Sequence, residues 1–396
     1  HPELVHKGAV MRYLTMPRFT RLALPLAIAG TLMATAADAR SIRYATGYAA
    51  QSIGAVAGDA FAEALDEYSG GELTAKVYPQ SLLSFSETPS GVRDGLADSG
   101  LVLTPYFPAE FPSTNLAAEI SMLLELTGAP AETAGLAYAG AMSEYLFNHC
   151  PECTDEFDAQ NQVFIGGGGT SPYFLLCNKP VRTMEELQGK RMRIGGAQWS
   201  RWVQSMGASP VSVPQHETYE ALSQGVVDCS VHSAPELTIV KLMEVVSDLT
   251  TGAPGGVFAG VANTVNKDTW SSLGEDERSA VLHASAVLSA ELSWGYAEAA
   301  QENMKTADEL DSIEIHEASD DMKARTREFI QQDLDAMAAT YADKYDIGNA
   351  GEMIETFKPI LEKWVSLVDG VDSGEALADL YWEEVFSKVD VSRYGQ

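Results

Sequence analysis

After residue 40 the chain alternates short apolar segments with longer amphipathic ones. Segments 41–47, 73–78 and 100–103 are apolar or alternate apolar with polar residues, which predicts strands. Between the first two, apolar residues recur at helical spacing and are followed by a Gly-Gly pair at 70–71, which predicts a helix and its end. The apolar positions of that helix are Ile53, Val56, Phe61, Ala64, Leu65 and Tyr68. This order of elements predicts an α/β unit.

The middle of the chain repeats the alternation. Strands are predicted at 173–177, at 191–194, near Val211 and at 226–231, with single helices between them. Such an order favours parallel strands joined by right-handed crossovers, and ligands bind beyond the carboxyl ends of strands in such sheets. Two groups of polar residues lie there: Arg193, and the segment 228–232.

The last third of the chain is predicted to be helical. A long helical pattern covers 275–310, and further helices reach residue 396 with breaks at glycines 348, 351, 370 and 374. No repeat of fixed period is present, which argues against solenoids and propellers. The predicted fold class is α/β, with a long helix and a helical C-terminal extension.

The N-terminal segment has the features of a secretory signal peptide. Arg12, Arg18 and Arg21 precede an apolar run at 22–36, and Ala-Asp-Ala follows at 37–39. The run of about 15 residues is shorter than the roughly 20 needed to span a bilayer, so an uncleaved anchor is the less favoured alternative. We expect translation to start at Met11 or Met16, cleavage after Ala39 and a periplasmic location, without insertion into the membrane.

Charge excludes some partners and missing motifs exclude some activities. The formal net charge is −30, from 26 Lys and Arg against 56 Asp and Glu, which repels nucleic acid and anionic lipid. Four glycines at 166–169 lack the Lys-Ser/Thr of a phosphate loop, and the segment HETYE from His216 lacks the second His of a zinc protease. No Gly-x-Ser-x-Gly motif is present. We expect no enzyme activity, no cofactor and no metal site.

The four cysteines fall into two groups. Cys150 and Cys153 could form a redox pair, a partial metal site with His149 or a structural disulfide, and an oxidising compartment favours the disulfide. Cys177 and Cys229 lie on predicted strands, where they fit as core residues, and their pairing is left open.

Two linked stretches in the middle of the chain carry a resemblance. The sequences NKPVRTMEELQGKRMRIGG and MGASPVSVPQHETYEALSQGVVDCSVHSAPE resemble the signature of the solute-binding subunits of tripartite ATP-independent periplasmic (TRAP) transporters. The resemblance extends from about 42 to 310, with VNKDTWSSLGEDERSAVLHAS matching a late strand and helix start. It implies a clamp of two α/β lobes, 40–165 with about 254–285 and 166–253 with about 286–396, closing on a small organic anion. The implied partners are the anion and the membrane subunits of the transporter.

The resemblance also implies which residues bind the ligand. The family's arginine that grips a carboxylate falls on Arg193, whose guanidinium can bind both carboxylate oxygens. A second arginine common in the family is replaced by Ser-Pro-Tyr at 171–173, and Val231-His232 and Gln215 replace other frequent residues. These departures argue against a C4-dicarboxylate or sialic acid and leave a singly anchored carboxylate or sulfonate. Further cleft contacts are expected from His232, Tyr173, Trp199, Tyr106 and Gln51, each of which also has an ordinary structural interpretation.

Two other functions stay open on the sequence. A binding protein of this kind could report its ligand to a sensor kinase instead of a transporter. A periplasmic enzyme on a similar frame would need a base beside Arg193, for which His232 is the visible candidate.

Overall fold

The computed structural model describes residues 39–396. The strands are β1 (Arg40–Thr46), β2 (Leu73–Pro79), β3 (Ser99–Val102), β4 (Gln162–Gly169), β5 (Tyr173–Cys177), β6 (Arg191–Ile194), β7 (Ser209–Ser212), β8 (Cys229–Ser233), β9 (Asp248–Pro254), β10 (Ala259–Asn266) and β11 (Glu314–Glu317). The helices are α1 (Ile53–Tyr68), α2 (Thr88–Arg93), α3 (Pro112–Glu119), α4 (Leu124–Thr127), α5 (Ala131–Asn148), α6 (Pro151–Ala159), α7 (Met184–Leu187), α8 (Ala197–Ser205), α9 (Thr218–Ser223), α10 (Glu236–Ile239), α11 (Lys267–Ser271), α12 (Glu275–Asp308), α13 (Asp320–Tyr345), α14 (Ala350–Leu367) and α15 (Gly374–Glu384). The predicted α/β class is confirmed. The predicted signal peptide lies almost entirely outside the described residues.

Two mixed sheets carry the fold. The first has the order β2-β1-β3-β10-β4, with β1 parallel to β2 and β3, and β10 antiparallel to β3 and β4. The second has the order β11-β9-β5-β8-β6-β7. Strands β6, β7 and β8 are parallel as the crossover rule predicts, but β5 runs antiparallel to β8 and β9. The prediction of a fully parallel middle is wrong at β5, because this strand arrives directly from the first sheet and not through a crossover helix.

Two extended segments connect the sheets. β4 leads into β5 through three residues, and β9 leads into β10 through four. The connecting residues pair with each other as well, since the amide N–H of Thr170 donates to the carbonyl of Phe258 and that of Tyr173 donates to Gly256. A two-stranded ribbon therefore runs from one sheet into the other.

The glycine run at 166–169 lies inside β4 and serves helix packing. A Cβ atom on Gly166 would lie 2.6 Å from Oγ of Ser289 in α12, and one on Gly169 would lie 2.7 Å from the carbonyl oxygen of Gly135 in α5. Real Cβ atoms do not approach other atoms so closely, so side chains here would push the two helices away from the strand. The chain crosses to the second sheet just after this run, at residues 170–172.

The C-terminal helices pack with the first sheet. Phe357, Trp364 and Tyr381 of α14 and α15 are fully buried in the same apolar core as the first sheet and α5. The indole N–H of Trp364 donates to Glu144, and the hydroxyl of Tyr381 donates to the carbonyl of Leu136. The predicted division placed 286–396 in the second lobe, and the structure differs from it here because the apolar faces of α14 and α15 are covered by α5 and α12.

The long helix α12 contacts both parts of the fold. Its first half is buried in the first core, and Ala307 near its end lies in a separate core with strands of the second sheet. The Glu277 side chain accepts a hydrogen bond from the Gly274 amide and so caps its N-terminus. No helix within 39–396 is long and apolar enough to cross a membrane.

Both cysteine pairs are disulfides. Cys150–Cys153 closes a short loop at the start of α6, as predicted. Cys177 and Cys229 are directly opposite each other on β5 and β8 and are also joined. The second disulfide fixes the register of the two central strands that lead to the site described next.

Candidate functional site

Arg193 lies where parallel strands of the second sheet end. It is the third residue of β6, and its register partner on the neighbouring β8 is Ser230, two residues before His232. Both Arg193 and His232 are 2% exposed. The two side chains meet because β6 and β8 run in the same direction and present their carboxyl ends at one edge.

The guanidinium of Arg193 is held by uncharged groups. Its Nε donates to the carbonyl oxygen of Val213 at 3.0 Å, and its Nη1 lies 3.1 Å from Nε2 of His232. Arg193 forms no ion pair with any acid in the described part of the chain. Its Nη2 atom donates no hydrogen bond to any residue in that part. Burial lowers the pKa of Arg193, but guanidinium stays charged at physiological pH. One edge of a buried cation is thus left without a partner.

His232 is neutral in this setting. Burial, and then the positive charge of Arg193, hold its pKa well below the usual 6.5. Its Nδ1 lies 3.3 Å from Oγ of Ser230. A neutral imidazole can accept a hydrogen bond from Arg193 without adding a second charge to the site.

Tyr173 and Trp199 form a stacked pair beside the arginine. Their rings are parallel within 7° with centroids 4.0 Å apart. The Trp199 indole is fully buried and its Nε1 donates to the carbonyl of Gly255 at 2.9 Å. Trp199 therefore lies behind Tyr173 and supports it, and does not itself line the cavity as the sequence-based prediction implied.

A small cavity of about 30 Å³ lies against Arg193 between the two sheets. Of the six residues predicted for the ligand, Arg193, His232, Tyr173 and Tyr106 line it. Tyr106 is 45% exposed at its edge and meets Phe258 edge to face. Gln51 is not among the lining residues, because it occupies an exposed turn with a positive φ of 67° ahead of α1. The cavity therefore presents one fixed cation to an anionic ligand.

Glu236 is a charged lining residue that the sequence analysis missed. It begins α10, three residues after the end of β8, and is 2% exposed. Nε2 of Gln215 donates to its Oε2 at 2.6 Å. Burial raises the pKa of Glu236 to about 7, against the lowering effect of Gln215 and Arg193. The sequence signal that could have revealed Glu236 is an acidic residue shortly after the strand that contains the candidate segment 228–232.

Two tyrosines from the other side of the cavity were also missed. The hydroxyls of Tyr48 and Tyr296 lie 2.8 Å apart, joining the segment after β1 to the long helix α12. Burial raises the pKa of both phenols, so both stay protonated at neutral pH. Residues from both sheets and from α12 therefore surround the space in front of Arg193.

A group of potential metal ligands lies elsewhere. Asp248, Glu314 and His316 lie at the edge of the second sheet with their ligand atoms within 4.8 Å of one another. His316 Nε2 lies 3.2 Å from Asp248 and 3.4 Å from Glu314, so the three also satisfy one another without an ion. None of them lines the Arg193 cavity.

The sequence matches one family profile over most of its length. Residues 46–340 match the family described as bacterial extracellular solute-binding protein, family 7. A solute-binding protein of Albidiferax ferrireducens is 25% identical over 228 residues, which are 57% of this chain and 64% of that protein. A solute-binding protein of a Sulfitobacter species is 25% identical over 227 residues, 57% of this chain and 58% of that protein. The aligned part is thus less than two thirds of either relative.

Solved structures share the fold at low sequence identity. A TRAP periplasmic solute-binding protein from Desulfovibrio salexigens, in an open form, has a TM-score of 0.69 at 23% identity and covers 85% of this chain and 98% of its own. One from Bordetella bronchiseptica with bound (R)- and (S)-mandelate has a TM-score of 0.67 at 19% identity, covering 84% and 99%. One from a marine metagenome with co-purified pyroglutamate has a TM-score of 0.64 at 18% identity, covering 87% and 99%.

Proposed function

Because the chain belongs to the bacterial extracellular solute-binding proteins, family 7, we propose that it binds a small organic acid at Arg193 and delivers it to TRAP membrane subunits. The ligand is a carboxylate or sulfonate held by one fixed cation. The protein acts in the periplasm after removal of the segment that ends at Ala39, and it catalyses no reaction.

The observation that carries this proposal is the unpaired buried charge of Arg193. The chain has 56 acidic residues, yet none of those described pairs with this guanidinium. A buried charge without a counterion is costly, and a ligand carboxylate would offset that cost with two charge-assisted hydrogen bonds. The nearby Arg191 shows the contrast, since it is exposed and paired with Asp228 at 3.1 Å.

The chemistry of the cavity favours a ligand with a single anionic group. Besides Arg193 no cation lines it, so a second carboxylate on the ligand would find no fixed partner. Tyr106, Tyr173 and Phe258 offer ring surface to the rest of the ligand. Two of the similar structures contain a small acid, mandelate in one and pyroglutamate in the other.

A thermal-shift screen of the mature protein tests the binding proposal. Small carboxylates, hydroxy acids, oxo acids and sulfonates are compared with neutral sugars and cationic amino acids at equal concentration. A true ligand at about 100 times its Kd adds roughly 2.7 kcal/mol to the free energy of unfolding. A screen in which only sugars or cationic amino acids raise the melting temperature contradicts the proposal.

Delivery to a transporter is tested separately. Proteoliposomes that contain TRAP membrane subunits from the same genome should take up the screened acid only when the binding protein is added. Uptake that is equal without it would favour a ligand-reporting role, in which the protein contacts a sensor kinase.

A further inference from the structure

The cavity contains a second polar group that faces the ligand. We propose that Glu236 accepts a hydrogen bond from an N–H or O–H group that the bound acid carries next to its carboxylate. The preferred ligands are then α-amino, α-hydroxy or lactam carboxylic acids, and not simple or 2-oxo acids of the same size. This inference rests on the proposed function and refines its ligand class.

The position of Glu236 supports a contact with the same molecule that Arg193 binds. Both residues line one small cavity, and each is 2% exposed. The two do not form an ion pair within 4 Å in the described structure, although both line the cavity. A ligand with its carboxylate on Arg193 would therefore present its neighbouring atoms to Glu236.

The hydrogen bonds of Glu236 leave one carboxylate oxygen available. Gln215 donates to Oε2 at 2.6 Å, whereas Oε1 receives no hydrogen bond from the described residues. This oxygen is not completely enclosed by protein, so it can be reached from the cavity. A donor on the ligand would satisfy it, and an acceptor at the same place would be repelled.

Charge balance points in the same direction. Arg193 and ionised Glu236 together leave the site neutral, since burial keeps His232 uncharged. A zwitterion would preserve this neutrality, and a hydroxyl or lactam N–H would at least supply the missing donor. A 2-oxo acid would place its carbonyl oxygen against the carboxylate, which costs affinity.

Matched ligand pairs test the inference in the unmodified protein. Pyroglutamate is compared with its lactone analogue, in which oxygen replaces the ring N–H, proline with tetrahydrofuran-2-carboxylate, and mandelate with phenylglyoxylate. Titration calorimetry is run at pH 8, where Glu236 is ionised because its pKa is about 7. We expect the donor-bearing member of any pair that binds to bind about tenfold to a hundredfold tighter. Equal affinities within every binding pair would overturn the inference.

The variant Glu236→Gln assigns the preference to this residue. Its amide can donate as well as accept, so the preference should fall below about threefold. Glu244→Gln is the matched control, since Glu244 is exposed, does not line the cavity and accepts a hydrogen bond from the Tyr219 hydroxyl. A preference that survives in Glu236→Gln contradicts the inference, and if that variant does not fold the ligand pairs in the parent protein decide.

The same titrations separate this inference from the proposed function. Carboxylates that bind without any donor preference would remove the role of Glu236 and leave the organic-acid binding protein intact. Failure of every acid, donor-bearing or not, to bind would remove both.

Discussion

Nη1 of Arg193 lies 3.1 Å from Nε2 of His232, and burial keeps that imidazole neutral. The contact orients the guanidinium without neutralising its charge. An acid at position 232 would have done the opposite, because it would have formed the internal ion pair and taken the place of the ligand. His232 is therefore a positioning residue for Arg193 in our account.

Replacing His232 by alanine should weaken acid binding. Loss of one hydrogen bond that positions Arg193 should raise Kd about fivefold to tenfold, since such a bond contributes about 1 kcal/mol. Calorimetric titration of both proteins with the best acid from the screen measures this change. An unchanged Kd would mean that Val213 alone positions the guanidinium.

Glu236 should make stability depend on pH. Its pKa is raised from 4.5 to about 7 in the folded protein, so the folded state binds the proton more tightly than the unfolded chain. The contribution of Glu236 to the free energy of unfolding should therefore fall by about 3 kcal/mol as pH rises from about 4.5 to about 7. His232 lines the same cavity and has the opposite effect, because its pKa is held well below 6.5 in the folded protein. The comparison with Glu236→Gln therefore carries the prediction, since His232 is common to both proteins.

The variant Glu236→Gln isolates this effect. Denaturant unfolding at pH 5 should give similar free energies for both proteins, and at pH 8 the variant should be the more stable. Parallel pH profiles for the parent and Glu236→Gln would show that Glu236 keeps an ordinary pKa.

Both disulfides should be present in protein isolated from the periplasm. Alkylation without reductant, followed by mass spectrometry, should leave all four cysteines unlabelled. The bonds should differ in energy because they close loops of very different length, with sequence separations of 52 and 3 residues. From the loop-closure entropy of the unfolded chain, Cys177–Cys229 should add about 4 kcal/mol and Cys150–Cys153 about 2 kcal/mol to the free energy of unfolding. Equal losses of unfolding free energy in the two double serine variants would contradict this order.

Trp199 should affect ligand binding through Tyr173. Trp199→Phe removes the hydrogen bond to the Gly255 carbonyl and reduces the ring surface that stacks on Tyr173, and should cost about 1–3 kcal/mol of stability and raise Kd. Trp202→Phe is a matched control, because Trp202 is equally buried on α8 but donates to Thr326. It should lose similar stability and keep its affinity. The same Kd in both variants would exclude a support role for Trp199.

Much of the fold follows from local patterns. The pattern of apolar residues located β5, β6 and α12 closely, because nearly all residues of the two strands and much of the long helix are buried. The resemblance to TRAP solute-binding subunits is confirmed by the family match over 46–340. Placement of the C-terminal helices was wrong, since an apolar helix face does not indicate which of two cores will cover it.

The site was only partly predictable for a related reason. Arg193 stood out because the resemblance places the family's carboxylate-binding arginine there and because it lies near the end of a predicted strand. Glu236 did not, because its burial depends on Gln215 and on residues of the other sheet that are distant in sequence. Gln51 was predicted from its position after the first strand, and its turn instead directs the chain to the surface.

Titration of Arg193→Lys with the best acid from the screen tests the central claim most directly. Lysine keeps the charge but cannot form a bidentate contact, so Kd should rise about tenfold to a hundredfold while the melting temperature of the free protein changes little. Arg191→Lys, two residues earlier on the same strand but exposed and paired with Asp228, is the control and should bind as the parent does. A Kd in Arg193→Lys equal to that of the parent would contradict the assignment of Arg193 as the carboxylate-binding residue.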